Sequence, residues 1–275
     1  MRHSMKIRWE ILVALAALGL MVPASALADS AQQILNQVKA VNDARKPKDS
    51  VQRGSMTIVD SGGASRTREI VTYSKNYDQD SSKSILFFVA PPDLKNVGVL
   101  TWEHPERDDD QWIYFPETER VRRLSSQIAK DNLGESDFSY EDSKLFEDLL
   151  RDWTKFGDAT LVKEGDRIED ASCAVVDFSP KNQDIPYGRL RMWLDRAQSM
   201  LRRMELFDKD GSTLIKVLSV EDLRDESGVP TPHRLEMETV SRKTKTILRL
   251  SDVHYNTGLD DDLFTQRSLQ RGPKS

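Results

Sequence analysis

The feature that most constrains this chain is an apolar–polar alternation of period two, broken by turns, that recurs from residue 55 to residue 253. Successive side chains of a strand point to opposite faces, so this period marks half-buried strands rather than helices. In 55–59, Met56 and Ile58 alternate with polar neighbours; Asp60-Ser61-Gly62-Gly63 is a turn and 68–74 returns as a second arm. Segments 84–90, 97–103, 111–115 and 120–125 continue the series, with stops at Pro91-Pro92 and Pro116-Glu117-Thr118-Glu119. Strands resume at 160–163, 173–178 and 189–195. Asp208-Lys209-Asp210-Gly211 joins 201–207 to 213–220 as a hairpin, and 235–240 and 246–253 close the set. Hairpins dominate and no strand–helix–strand alternation is visible. The expectation is a mainly β chain, β with α, built on one antiparallel sheet of about ten to twelve strands.

Two stretches carry a helical period. In 30–45, Ile34, Leu35, Val38 and Val41 form one stripe, ended by Pro47. In 140–153, Leu145, Phe146, Leu149, Leu150 and Trp153 form another. Between strand and helix, 126–139 has no clear period and reads as a long loop. The tail after Phe264 is polar and is expected to fray. No Pro/Gly/Ser-rich linker divides 29–275, which reads as a single domain.

Residues 1–28 read as a cleavable signal peptide. Arg2, Lys6 and Arg8 make a basic start, 11–21 is an uncharged apolar run, and Ala26-Leu27-Ala28 is a small-x-small cleavage pattern. The run is short for a bilayer span, which needs roughly 20 apolar residues, so cleavage after Ala28 is favoured over a retained anchor. No cysteine stands near that point, so there is no lipobox for an acylated anchor. A periplasmic location and only transient membrane contact are expected.

Composition excludes more than it identifies. With 40 Lys+Arg against 45 Asp+Glu the formal charge is −5, which argues against a nucleic-acid partner. One cysteine, Cys173, excludes an internal disulfide, and its apolar setting reads as a buried, inert thiol. Gly134-Glu135-Ser136-Asp137-Phe138 starts like a nucleophile elbow but has Phe138 where that turn needs glycine. Asp208-Lys209-Asp210-Gly211 has its glycine two positions too early for a calcium loop. The triplet Asp108-Asp109-Asp110 reads as solvated charge, and His104, His233 and His254 as surface or strand-edge residues. No catalytic residue, metal site or cofactor is expected.

One stretch carries a family likeness. Phe88-Val89-Ala90-Pro91-Pro92 leads to Gly98-Val99-Leu100, then Gln111-Trp112-Ile113-Tyr114-Phe115-Pro116, then Arg120-Val121-Arg122-Arg123-Leu124, and closes on Ser136-Asp137-Phe138-Ser139-Tyr140-Glu141-Asp142. This order resembles the outer membrane lipoprotein-sorting protein family, similar in fold to the periplasmic carrier LolA. Glu135 lengthens the family's Gly-Ser-Asp-Phe-Ser-Tyr-Glu-Asp block by one residue, and Val99 stands where a small polar residue is usual. The resemblance implies a curved antiparallel half-open barrel with helices over its concave side. It further implies a carrier for acyl chains of lipoproteins or lipids, partnered by inner-membrane exporters including RND-type transporters. The working form is expected to be a monomer.

Strands 84–90 and 97–102 are apolar on both faces, which suits a sheet with a greasy inner side. Large apolar residues at strand positions nominate the cavity: Met56, Ile58, Phe87, Leu100, Trp102, Trp112, Tyr114, Met192, Met204 and Met237. Packing against the helices explains the same residues equally well. Within 136–142, Ser139 and Asp142 have capping-box spacing at the start of the second helix. The other reading of this block is a loop latch, in which Asp137, Tyr140, Glu141 and Asp142 work with Arg120, Arg122 or Arg123. The competing function is a periplasmic sensor on the same fold that binds a protein partner without moving cargo.

Overall fold

The structure, a computed structural model, describes residues 24–78, 81–105, 107, 109–124, 135–139, 142, 145, 146, 149, 153, 154, 157–181 and 185–274. Helix α1 (Ala24–Arg45) is followed by β1 (Asp49–Val59), β2 (Ser65–Asn76), β3 (Ser82–Ala90), β4 (Gly98–Glu103), β5 (Asp110–Phe115) and β6 (Arg120–Arg123). Then come β7 (Gly157–Ile168), β8 (Ala171–Pro180), β9 (Arg189–Asp195), β10 (Met200–Phe207), β11 (Leu214–Glu226), β12 (Val229–Thr239) and β13 (Thr244–Tyr255). A short helix, α2 (Gln266–Arg271), closes the chain.

All thirteen strands form one antiparallel sheet, ordered β6-β5-β4-β3-β2-β1-β13-β12-β11-β10-β9-β8-β7. The chain thus lays down two meanders, and β1 zips onto β13 to join them. β6 and β7 stay as edges, so the curved sheet is an open half-barrel. At the seam, a Cβ on Gly54 would lie 2.2 Å from the Arg249 carbonyl oxygen, so only glycine lets the two backbones pass at the β1 bulge.

Several strands outrun their apolar alternation. β11 and β12 extend into a long hairpin whose outer part, Glu221 to Glu226 against Val229 to Arg234, is held mostly by ladder hydrogen bonds and charge pairs such as Arg224–Asp222. Its turn has Ser227 and Gly228 both at positive φ, the geometry of a tight two-residue hairpin. α1 begins at Ala24, before the expected start at 30 and through the expected cleavage point. It ends at Arg45, as the coming Pro47 requires. Within 142–154, the described residues Asp142, Leu145, Phe146, Leu149, Trp153 and Thr154 are helical, on the expected stripe.

The sheet is covered on both faces, by different parts of the chain. One face, here the helix face, carries Val176, Met192, Met204, Leu218 and Met237 in one cross-strand row. This row packs with Ile34, Leu35 and Val38 of α1 and with Leu145, Leu149 and Trp153. Trp153 Nε1 donates to Asn36 Oδ1 at 3.2 Å, tying the two helical pieces together. On the opposite face of β2–β5, Val71, Tyr73, Ile85, Phe87, Leu100 and Tyr114 pack under Leu263, Phe264 and Leu269 of the tail.

The tail after Phe264 is therefore folded, contrary to the expectation that it frays. Asp49 steers it: its carboxylate accepts from the backbone N–H of Thr257, Gly258 and Leu259 and turns the chain back from β13. Thr265 caps α2 by accepting from Ser268 N–H. Leu269, the single apolar residue of 265–274, is fully buried beside Gly98, whose missing Cβ leaves the room it needs.

Candidate functional site

Asp137, Ser139 and Asp142 lie buried against the helix face. Asp137 is 1 % exposed; its carboxylate accepts hydroxyl hydrogen bonds from Thr239 (2.6 Å), Thr244 (2.5 Å) and Thr246 (2.9 Å), and a bond from Arg242 (3.0 Å). Its own N–H donates to Thr246 Oγ1. These threonines are placed by β12 and β13, which turn between Thr239 and Thr244 with the same parity as Met237. Asp142 is fully buried and meets Lys216 Nζ at 2.6 Å and the Tyr187 hydroxyl at 2.5 Å. Lys216 also donates to the Asp137 carbonyl.

Asp142 does a second task. Ser139 Oγ accepts from Asp142 N–H at 3.1 Å while the Asp142 carboxylate accepts from Ser139 N–H at 2.9 Å. This reciprocal pair is a capping box, with Asp in the place usual for Glu, and it starts the helical residues at 142. One carboxylate thus caps a helix and moors it to β11. Every strong acceptor here has a donor, so the cluster holds the cover in place.

At the C-terminal end of α1 the helix face opens into a cleft of about 550 Å³. That lies inside the usual range for small-molecule sites, roughly 300–1,000 Å³. Asn42, Asp43, Arg45, Lys46 and Pro47 form one wall; Thr72, Ser74 and Asn76 of β2, with Ser82 and Ser84 of β3, form the floor. Glu103, Met200, Val229 and Pro230 complete it. Ser82 Oγ donates to Glu103 at 2.6 Å, and Asn76 Nδ2 donates to the Pro47 carbonyl at 2.8 Å.

The structure divides the ten expected cavity residues. Met56, Ile58, Met192, Met204 and Met237 share the helix face, all buried; the three strand methionines of the second meander are packed against the helices. Phe87, Leu100, Trp102, Trp112 and Tyr114 lie on the other face, under the tail. Trp102 Nε1 donates to the Phe264 carbonyl at 3.0 Å, and Trp102 meets Trp112 edge-on at 4.9 Å. Apolarity on both faces of β3 thus reflects two separate covers, and in this structure these five residues pack with the tail and not with the helices.

The expected latch is corrected in its partner. Asp137 pairs with Arg242 of the β12–β13 turn, not with the β6 arginines; Arg120 and Arg122 are exposed, and Arg123 bridges to Asp110. Tyr140 and Glu141 lie outside the described residues. The acidic loop is also not wholly solvated: Asp110 is 8 % exposed. The hydrogen bond from Arg107 holds it at about 2 against the upward pull of burial, helped by His104 and the charge of Arg123. His233, expected at a surface or strand edge, is buried between Glu226 and the Leu250 carbonyl. Burial raises the Cys173 thiol, which makes it a poor nucleophile. Among the described residues no group of three His, Cys, Asp or Glu side chains could hold a metal ion.

A family model whose description reads "Uncharacterized protein" matches residues 80–271. The chain belongs to that family. No curated protein matches the sequence. Among solved structures, this family member is similar to a Vibrio parahaemolyticus domain described as one of an outer membrane lipoprotein-sorting protein, with 24% identity and a TM-score of 0.76 over 89% of this chain and 100% of that one. It is similar to a DUF1329 family protein from Desulfovibrio piger, with 26% identity and a TM-score of 0.77 over 90% and 99%. A LolA superfamily protein from Nitrosomonas europaea matches at 19% identity and a TM-score of 0.61 over 86% and 98%. The fold of this chain is thus that of these structures, an open LolA-like half-barrel.

Sequence reasoning missed Lys216, Thr239, Thr244, Thr246, Tyr187 and Arg242. A signal for some of them existed. Lys216 falls at the parity of Leu218 and Val220, where a strand of this face should carry an apolar residue, and a lysine there needs a buried carboxylate.

Proposed function

We propose that this protein is a soluble periplasmic carrier that shelters the acyl chains of a lipoprotein or lipid against the helix face of its half-barrel. The observation that carries the reading is how that face is closed. Its apolar row is covered by two helical pieces hung on side-chain anchors, not by a second sheet. A cover of this kind can be lifted without breaking the ladder beneath it. On lifting, Met56, Ile58, Met192, Met204 and Met237 become the cargo wall, and methionine adapts to chains of differing shape.

The energetics suit the task. Sheltering an acyl chain yields about 0.8 kcal/mol per methylene, so a myristoyl-sized tail is worth about 10 kcal/mol. That free energy can be set against the contacts of Ala31, Ile34, Leu35 and Val38 that are given up when α1 lifts. The fold of a lipoprotein-sorting domain supports the same reading. No described helix is long and apolar enough to cross a membrane. Export by a signal peptide cleaved after Ala28, a monomeric working form, and exchange of cargo with an inner-membrane transporter of RND type belong to this proposal.

Native mass spectrometry of protein released gently from a periplasm tests it. Bound acyl lipid, removable by solvent extraction and replaced by myristate, is the expected result. Protein that is empty and takes up no myristate overturns the carrier and leaves the partner-binding sensor as the better reading.

A further inference from the structure

The inner surfaces of β2 and β3 change polarity step by step along the strands. Four directly opposed pairs face the same way: Asn76 with Ser82, Ser74 with Ser84, Thr72 with Leu86, and Ile70 with Phe88. The first two are wholly polar, the third mixed, the fourth wholly apolar. At about 3.3 Å per residue, the change from Ser74 to Ile70 takes about 13 Å. The polar end is the floor of the cleft beside α1. The apolar end packs with Val97 and partly buried Leu86, Leu94 and Leu248.

Such a gradient matches an amphiphile lying along the strands. We infer that the cleft receives the head group of the cargo lipid, and that this head group is neutral and rich in hydroxyls. The inference rests on the carrier reading and deepens it. The lining mixes both signs, Asp43 and Glu103 with Arg45 and Lys46, so the cleft lacks the single-sign cation cluster that an anionic head would call for. Ser82 and the Asn76 amide nitrogen are engaged by Glu103 and the Pro47 carbonyl, and the hydroxyls of Thr72, Ser74 and Ser84 complete the floor; a hydroxyl both donates and accepts, which suits a polyol and wastes capacity on a phosphate. Val229 and Pro230 supply apolar surface for the C–H faces of a glycerol or sugar. A site built to hydrogen-bond hydroxyls discriminates strongly against a ligand lacking them.

The test compares four tetradecyl-chain probes by titration calorimetry on the full mature chain: 1-monomyristoylglycerol, tetradecyl glucoside, myristate and myristoyl lysophosphatidic acid. The expected result is that one of the two neutral polyol lipids binds at least tenfold more tightly than either anion; the tighter one identifies the head group as glycerol or sugar. In Ser74→Val/Ser84→Val that preference collapses to within about twofold while myristate binding is unchanged. Ser74→Ala alone, a smaller change, lowers the preference in the same direction. Equal binding of all four probes, tighter binding of an anion, or a preference the variants leave intact overturns the head-group assignment while leaving the carrier standing. Failure of every probe to bind overturns both.

Discussion

Asp142 and Lys216 meet at 2.6 Å in a place almost closed to water, and the consequence of parting them is steep. Removing one member of a buried pair strands the other, at a cost of about 3–5 kcal/mol. Asp142→Ala should therefore lose about that much in urea unfolding, because Lys216 keeps only the Asp137 carbonyl. Replacing both, as Asp142→Leu with Lys216→Met, should recover the part due to the stranded charge and not the part due to the lost capping box and the Tyr187 hydrogen bond. If the single and double variants are equally unstable, the pair is not what holds the segment. The capping half of this site was legible, since Ser139 and Asp142 stand at the required spacing. The mooring half was not: Lys216 lies 74 residues further on, and only the sheet register brings it back. Arg120, Arg122 and Arg123 were nominated for the latch by nearness in sequence and family order, and sequence holds no measure of which arginine a folded carboxylate meets.

Among the elements, the strands were the most legible part, because most of them bury at least one face and so keep a readable apolar pattern. Their ends were not, since the outer half of the β11–β12 hairpin is held by ladder bonds and charge pairs that leave no apolar pattern. α2 escaped for the opposite reason: six residues with one apolar side chain carry no readable period. Yet Leu269 is fully buried against Phe87 and Gly98. Leu269→Ala should cost about 2–5 kcal/mol, as for other buried leucines, and should expose Trp102 and Trp112 to solvent. A fluorescence-detected melt reads both effects. A loss below about half a kcal/mol would mean that the tail adds nothing to the fold.

At the scale of the molecule, the division of labour between the two faces matters most. The outer face of β2–β5 is covered by the chain's own tail, and the helix face by helical pieces, which in the proposed carrier are the parts that leave. Two-faced apolarity was visible in the sequence; which face is fixed and which is free to open depends on where the tail and α1 land, and neither has a pattern that names its strand. The central claim is that the cover over the helix face lifts and the sheet does not. Hydrogen exchange read by mass spectrometry tests it most directly, on the mature chain alone and saturated with myristate. The account predicts that α1 amides exchange far faster than those of β11–β13 in the free protein, and that myristate alters protection in α1 while leaving β11–β13 unchanged. An α1 as slow to exchange as the central strands, and indifferent to myristate, would contradict it.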